Sequence, residues 1–208
     1  MSEPVPLVFV VDDDPGVCAA IESLLRSVRL DVLSFGTPAE FLARRRTDRL
    51  SCLVLDVDLP GTSGLELQLE LREREPTLPI VFITGHGDIP MSVRAIKAGA
   101  VEFLSKPVRD EDLLAAIEQA LATARLARRE LADDQDLQAR FATLTPRERE
   151  VMTLVISGLL NKQIAHELGI SEVTVKIHRG QATRKMKASS VADLVRMALR
   201  LGIAPATS

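Results

Sequence analysis

The chain has 208 residues, of which 46% are hydrophobic, and a formal net charge of −3. This length allows about one or two domains with a real core, and the apolar runs are far shorter than the ~18 residues that a membrane span needs. The N-terminus lacks the basic and apolar regions of a signal peptide. The two cysteines have no metal-type spacing, so we expect reduced thiols in a cytoplasmic protein.

The charge is unevenly distributed along the chain. Residues 142–208 carry ten Lys and Arg against five Asp and Glu, a net charge of +5, whereas residues 1–141 carry 16 against 24, a net charge of −8. An acidic first part and a basic last part fit a metal site coupled to a module that binds a polyanion. Two ordinary domains whose charges differ by chance would give the same totals.

The first part of the chain, to about Gln119, alternates short apolar runs with helical patterns. The runs that predict strands are 8–11, 31–35, 52–55, 80–83 and 101–105. The helical patterns begin after Pro15, after Pro38, at Leu65, at Gly85-His86-Gly87-Asp88 and near Asp110. Gly99 is expected to end the fourth helix. Five strands alternating with five helices predict a doubly wound (βα)5 domain of the α/β class.

Polar residues follow four of the predicted strands at the point where each strand ends. In chain order these residues are Asp12, Asp13, Asp56, Thr84 and Lys106. Because the carboxyl ends of parallel strands share one edge of a sheet, the three carboxylates, the hydroxyl and the ammonium are expected to meet there. An aspartate that attacks a phosphoryl group needs its own charge and that of the phosphate neutralised. The set therefore predicts metal-assisted phosphoryl transfer onto a carboxylate.

Mg²⁺ is the expected cofactor, since it prefers oxygen ligands and keeps several of its waters. Asp13 and Asp56 are the expected carboxylate ligands, with Asp12 acting directly or through water. The backbone carbonyl of Asp58 is a further candidate oxygen. Without a cation, the clustered carboxylates would repel one another strongly.

Two residues are expected to bind the phosphate itself. Lys106 would pair with one phosphate oxygen, and the Thr84 hydroxyl would donate a hydrogen bond to another. A cis peptide between Lys106 and Pro107 would aim the lysine into the site. Each element is a weak indication by itself, because an Asp pair at a strand end is often a helix N-cap. Together and in this order they predict a functional site.

These motifs resemble the receiver domain of two-component response regulators over roughly residues 5–122. The matching segments are 10–13, 55–64, 83–88 and 106–107. The resemblance implies that Asp56 accepts phosphate from a sensor histidine kinase or a small phosphodonor, and that Thr84 moves toward the phosphate. It also implies that Phe103, on the last strand, turns inward. Many relatives have Tyr there, so Phe103 would act by packing alone, and simple core packing would explain it equally well.

The resemblance also implies two protein-binding surfaces. The usual dimer face is formed by the fourth helix and the fifth strand, near Val93, Lys97 and Phe103. The kinase would dock at the first helix and the rim of the site, around Pro15, Gly16 and Pro107.

Asp58 departs from the commonest receiver pattern and supports a rival hypothesis. Haloacid-dehalogenase-type phosphatases use Asp-x-Asp with a downstream hydroxyl and lysine, and Asp56-Val57-Asp58 resembles that motif. Here, however, the nucleophile follows the third strand rather than the first, and two further aspartates precede it. A narrower hypothesis is that Asp58 tunes how fast phospho-Asp56 hydrolyses.

From Ala122 to Arg140 the pattern stays helical but becomes highly charged. We interpret it as an extension of the fifth helix into a signalling linker, although a solvated helix joining two domains fits equally well. The rest of the chain has no strand pattern, and its predicted helices are 147–157, 161–168, 171–187 and 191–201. The sequence thus predicts an all-α four-helix domain after the α/β domain.

The segment from Asn161 to Ser171 reads as a helix, a glycine-containing turn and the N-cap of a second helix. Helix-turn-helix geometry needs such a short turn so that the second helix can enter a major groove. The candidate DNA-binding residues are Lys162, Thr174, Lys176, Ile177, Arg179, Gly180, Gln181, Arg184 and Lys185. The solvated face of an ordinary helical bundle would show similar charges.

Three segments resemble the LuxR-type DNA-binding domain of the FixJ/NarL family of response regulators: 144–151, 158–165 and 170–179. By motif position, Lys176, Ile177 and Gly180 would fall where base contacts occur, and Thr174 and Arg184 would contact the DNA backbone. Gly180 departs from relatives that have a basic residue there, and glycine inside a helix costs roughly 1 kcal/mol relative to alanine. Close approach of the backbone to DNA would explain it, unless Arg179 or Gln181 reads the bases.

The sequence as a whole predicts a phosphorylation-controlled transcription factor. Its expected domains are a receiver at 1–122, a helical linker at 123–141 and a helix-turn-helix domain at 142–208. Phosphorylation would favour a homodimer that binds double-stranded promoter DNA, with self-catalysed phosphotransfer as its only chemistry. A constitutive DNA-binding protein whose receiver is only a scaffold is the remaining alternative.

Overall fold

The computed structural model describes residues 4–44, 47–85 and 89–204. The chain divides into two compact units, residues 1–128 and 129–208, and each unit has its own hydrophobic core. None of the helices in the described ranges is both long enough and apolar enough to cross a bilayer.

The first unit is built on a five-stranded parallel sheet with the order β2-β1-β3-β4-β5. Strands β1 to β5 span Leu7–Val11, Asp31–Phe35, Ser51–Asp56, Ile80–Thr84 and Glu102–Ser105. Helices α1 to α5 span Pro15–Ser27, Pro38–Ala43, Gly64–Arg74, Ile89–Lys97 and Asp110–Ala142. This confirms the predicted α/β fold, and α5 continues through the charged segment that was predicted to be helical.

The three central strands β1, β3 and β4 are buried on both faces of the sheet, which is why they read as continuous apolar runs rather than alternating ones. The edge strands β2 and β5 are only partly buried. Along β1, Phe9 and Val11 pack into one core layer, while Val8 and Val10 pack into the layer on the other face. Successive side chains of a strand point to opposite faces, so each residue of the run is buried. The three central strands were recognisable in the sequence for this reason.

Two loops of the first unit were the subject of specific predictions. Asp14 caps α1, since its side chain accepts hydrogen bonds from the N–H groups of Gly16 and Val17. The N-cap of α1 is therefore Asp14, and not a member of the Asp12-Asp13 pair that precedes it. Gly99 follows α4 with a left-handed φ of 99°, as predicted, whereas His86, Gly87 and Asp88 at the predicted start of that helix lie outside the described residues.

The second unit contains four further helices, α6 to α9, at Pro146–Ile156, Asn161–Leu168, Glu172–Met186 and Val191–Arg200. Their apolar faces share one core, to which the end of α5 adds Leu137. Gly169 ends α7 in the left-handed conformation, and the Ser171 hydroxyl caps α8. Ser171 and Lys187 have non-helical backbone angles, so α8 is one residue shorter at each end than predicted. The helix-turn-helix arrangement is confirmed.

Gly64, the first residue of α3, lies against the end of β3. Its N–H donates to the Val57 carbonyl at 3.0 Å, and a Cβ added there would lie 2.2 Å from the Asp56 carbonyl oxygen. Glycine is required here by this contact with backbone, which cannot rotate away as a side chain can. The same close approach fixes the start of α3 beside Asp56.

We expect Gly64→Ala to lower the free energy of unfolding of the first unit by about 1–3 kcal/mol, because overpacking against backbone forces the chain to shift. Gly85→Ala is the matched control, since a Cβ there would meet nothing within 4 Å. Urea unfolding of the two variants and the wild type measures the effect. Equal stability of Gly64→Ala and the wild type would contradict this account of the β3–α3 contact.

Candidate functional site

The carboxyl edge of the sheet brings the predicted polar residues together. The parallel register pairs Val11 with Leu55 and Asp56 with Ile83, so β1, β3 and β4 end side by side. Asp12, Asp56 and Thr84 are buried at this edge, whereas Asp13 is exposed. Lys106 follows β5, and its peptide bond to Pro107 is cis, as predicted.

Lys106 joins two of the carboxylates. Its Nζ donates to Asp12 Oδ2 at 2.7 Å and to Asp56 Oδ2 at 2.9 Å, and its side chain is 23% exposed. Burial raises the pKa of Asp12, and the hydrogen bond from Lys106 only partly offsets this rise. Burial by itself lowers the pKa of Lys106, but the hydrogen bonds and charges of Asp12 and Asp56 outweigh it, so the net pKa is raised. The ammonium is thereby held in its charged form.

The acidic cluster is suited to a hard divalent cation. Asp12, Asp13 and Asp56 each offer a carboxylate oxygen, and these three oxygens lie within 4.8 Å of one another. Oxygen ligands of this kind are what Mg²⁺ prefers, and an exposed Asp13 leaves room for the waters that the ion retains. The donor set therefore fits the metal that receiver domains generally bind.

Asp58 and Thr84 form a direct contact beside this cluster. The Thr84 hydroxyl donates to Asp58 Oδ2 at 3.0 Å, and the backbone N–H of Asp58 donates to Asp56 Oδ1 at 3.3 Å. Thr84 itself is fully buried. The hydroxyl that was predicted to bind phosphate thus already makes a hydrogen bond, and sequence spacing gave no indication of that contact.

The residues of the predicted dimer face differ in exposure. Val93 and Lys97 are exposed on α4, while Phe103 is half-buried on β5. The Phe103 ring packs against Phe82 with ring centroids 6.1 Å apart. Phe103 therefore contacts the core, while the other two residues face solvent.

In the second unit, α8 has one buried face and one exposed face. Val175, Ala182 and Met186 are buried in the core. After Glu172, which is exposed in the first turn, the exposed residues of α8 are Val173, Lys176, Ile177, Gly180 and Arg184. Their spacing of three or four residues places them on one side of the helix. We call these five residues the open face of α8.

Other predicted DNA-binding residues make contacts within the unit. Arg179 Nη1 donates to Asn161 Oδ1 at 2.9 Å, which links α8 to the start of α7. The hydroxyl of Thr174 lies 2.8 Å from that of Ser171, and Gln181 is half-buried. Lys162 is exposed on α7.

Lys185 is held by a buried carboxylate that sequence reasoning had not singled out. Its Nζ donates to Glu148 Oε2 at 2.7 Å and to the Thr143 carbonyl at 3.1 Å. Burial raises the pKa of Glu148, but the hydrogen bonds from Lys185 and from the Thr145 N–H outweigh it and leave the net pKa lowered. The Thr145-x-x-Glu148 capping box could have shown the helix start, but not the lysine 37 residues away.

Comparison with known proteins agrees with the fold of both units. Residues 8–118 match the family model of the response regulator receiver domain, and residues 142–198 match that of bacterial regulatory proteins of the luxR family. Nodulation protein W of Bradyrhizobium diazoefficiens is 53% identical over 197 residues, which cover 95% of this chain and 87% of that protein. The transcriptional regulatory protein FixJ of the same organism is 41% identical over 196 residues, covering 94% and 96%. The low-resolution structure of the response regulator StyR superimposes with a TM-score of 0.80 at 49% identity, covering 95% of this chain and all of that one.

A receiver sheet joined to a LuxR-type helix-turn-helix unit defines a DNA-binding response regulator. The chain belongs to the FixJ/NarL-type family of these proteins, as its motifs had indicated. It is a phosphorylation-dependent transcriptional regulator rather than a classical enzyme, and its family implies a sensor kinase and DNA as partners. The phosphatase hypothesis gains no support from these relatives.

Arg184 and Lys185 offer a matched pair of adjacent basic residues. We expect Arg184→Ala to weaken DNA binding and to reduce the slope of log K against log salt by about 1, because an exposed cation that contacts phosphate releases one counterion. Lys185→Ala should chiefly destabilise the second unit, because it leaves the Glu148 carboxylate buried without its cation. Salt titrations of binding and thermal unfolding of both variants separate the two effects. A reversed pattern would show that Lys185 leaves Glu148 to bind DNA.

Proposed function

We propose that Asp56 is the phospho-acceptor of this regulator. The observation that carries the proposal is the buried Asp56 carboxylate, held by Lys106 at 2.9 Å among two further aspartates at the carboxyl edge of the sheet. Buried carboxylates that share a site repel one another, so the site is built to accept positive charge. A nucleophilic carboxylate needs this environment when an anionic phosphoryl group approaches.

The transfer is a displacement at phosphorus. An oxygen of Asp56 forms the new O–P bond while the bond from phosphorus to the imidazole nitrogen of the kinase phosphohistidine, or to a small phosphodonor, breaks. Asp12, Asp13 and Asp56, with the Asp58 carbonyl as a further oxygen, would hold Mg²⁺, which would neutralise the negative charge of the approaching phosphoryl group. Lys106 transfers its pairing from Asp56 to an oxygen of the bound phosphoryl group. In this proposal the receiver catalyses its own modification and has no other enzymatic activity.

Thr84 and Phe103 are proposed to transmit phosphorylation of Asp56 to the surface of the receiver. The Thr84 hydroxyl leaves Asp58 and donates instead to a phosphoryl oxygen, and Phe103 moves into the space near Phe82. The face around Val93 and Lys97 then pairs with a second copy of the chain. Dimerisation makes the second DNA contact effectively intramolecular and so raises affinity for a paired site.

The domain bounds remain those proposed from the sequence: a receiver at 1–122, a helical linker at 123–141 and the output domain at 142–208. In the output domain α8 enters the major groove, with Lys176, Ile177 and Gly180 at base edges and Thr174, Arg184 and Lys162 at the backbone. The contacts of Arg179 and Lys185 with Asn161 and Glu148 support positioning roles for these two, and Gln181 stays a candidate. The protein acts in the cytoplasm, where the kinase docks around Pro15, Gly16 and Pro107.

The proposal predicts that a small phosphodonor with Mg²⁺ adds one phosphoryl group to the wild type and shifts it from monomer to dimer. Asp56→Asn should show neither change, because an amide does not provide the nucleophilic oxygen. Asp133→Asn, which removes an exposed acid of α5, is the control and should behave as the wild type. Intact mass and light scattering measure both steps. A dimer, or tight DNA binding, that is identical in Asp56→Asn and the wild type would favour the constitutive alternative.

Asp58 is expected to set the lifetime of the phosphorylated state, because its carboxylate competes with phosphate for the Thr84 hydroxyl. Asp58→Ala removes this competitor and should prolong the lifetime of phospho-Asp56, while Asp58→Asn, which retains an oxygen acceptor, should have the smaller effect. Loss of the phosphoryl mass with time measures the decay. Identical decay in all three proteins would discard a role for Asp58 in regulating the switch.

A further inference from the structure

Gly180 lies near the middle of the open face of α8, with Ile177 and Arg184 about one turn away on either side. Glycine is unfavourable in the interior of a helix, because only proline has a lower helix propensity. The fold does not demand it: its φ is not left-handed, and an added Cβ would meet nothing within 4 Å. The fold of the unit therefore does not require glycine at position 180.

The side chains beside Gly180 are unusual for a solvated helix face. Val173 is 69% exposed and Ile177 is 54% exposed, although the core of the unit is filled from the opposite face of α8 by Val175, Ala182 and Met186. Lys176 lies to one side of these apolar side chains, and Arg184 lies in line with them, one turn beyond Gly180. The open face is thus an apolar strip with one cation at its side, one at its C-terminal end and no side chain near its centre.

This composition limits how α8 reads DNA. Arg179 is engaged by Asn161, and Lys185 by Glu148, so two of the long basic side chains of α8 are committed to contacts within the unit. The other donors are Lys176 at the side of the strip, Arg184 at its C-terminal end and the half-buried Gln181. In the major groove the apolar feature that a Val or Ile side chain recognises is the C5-methyl group of thymine. Short branched side chains reach it only if the helix backbone lies close to the bases.

We propose that Gly180 is a specificity-determining residue: its missing side chain lets α8 approach the base edges closely enough for Val173 and Ile177 to contact thymine methyl groups. The inference rests on the proposal that α8 enters the major groove. A side chain at position 180 would hold the helix away from the groove floor and separate both apolar residues from the methyl groups. Lys176 supplies phosphate or base contacts at the side of the strip, and Arg184 supplies them at its C-terminal end.

The test uses the full chain, with Mg²⁺ and a small phosphodonor, and a duplex that the wild type selects from a random pool. Replacing each thymine by deoxyuridine removes one methyl group, and we expect about a fourfold loss of wild-type affinity at each contacted position. Gly180→Ala should weaken binding to the selected duplex by about tenfold or more, and Gly180→Leu should weaken it further, since both add bulk at the contact. Binding to an unrelated duplex should be unchanged.

Thermal unfolding serves as the control for correct folding. Gly180→Ala should be at least as stable as the wild type, because alanine is the better helix former. Ile177→Ala should abolish the effect of deoxyuridine at the position that Ile177 contacts. Wild-type affinity of Gly180→Leu for the selected duplex, or indifference to every deoxyuridine, would overturn the inference while leaving DNA binding intact. Failure to enrich any duplex would instead overturn the proposed mode of DNA binding, and the inference with it.

Discussion

The paired contacts of Lys106 with Asp12 and Asp56 are the interaction on which the receiver depends. Two carboxylates placed at the ends of adjacent buried strands would repel each other, and burial makes that repulsion costly. One ammonium between them offsets the repulsion in the absence of phosphate. In the proposed mechanism the same ammonium follows the charge when a phosphoryl group is added, so the contact that stabilises the resting site is also the one that the proposed transfer rearranges.

The backbone around Asp56 is also fixed in position by close contacts and hydrogen bonds. Gly64 lies directly against the Asp56 carbonyl, and the Asp58 N–H donates to the Asp56 carboxylate. The Thr84 hydroxyl, at the end of the next strand, donates to Asp58. The proposed phospho-acceptor, Asp56, is thereby connected through two hydrogen bonds to the residue proposed to act as the switch. The first bond lies at the end of β3, and the second joins that end to the neighbouring end of β4.

The helix-turn-helix unit also pairs a buried carboxylate with a lysine, but with a single carboxylate rather than a cluster. Glu148 is buried at the start of α6 and binds Lys185 on α8, while Arg179 on α8 binds Asn161 at the start of α7. Two basic side chains of α8 are thus used to hold it against its neighbours. The surface that we propose for DNA is the open face, in which two apolar residues and a glycine form a strip with Lys176 at its side and Arg184 at its end.

The sequence by itself determined the fold class, the order of the elements and the identity of the acidic edge. These follow from local patterns: buried parallel strands are apolar throughout, and their carboxyl ends must meet, so Asp12, Asp56 and Thr84 could be placed together without coordinates. Capping residues such as Ser171 marked the helix starts in the same way.

Only the tertiary structure decided which polar groups are already paired. A hydrogen bond between Thr84 and Asp58, or an ion pair between Glu148 and Lys185, joins residues 26 and 37 positions apart, and no periodicity encodes such a distance. It depends on side-chain direction after packing, which is set by the whole core rather than by neighbours in sequence. The basic residues of α8 looked equivalent in the sequence, but packing turned some of them inward and left the others exposed.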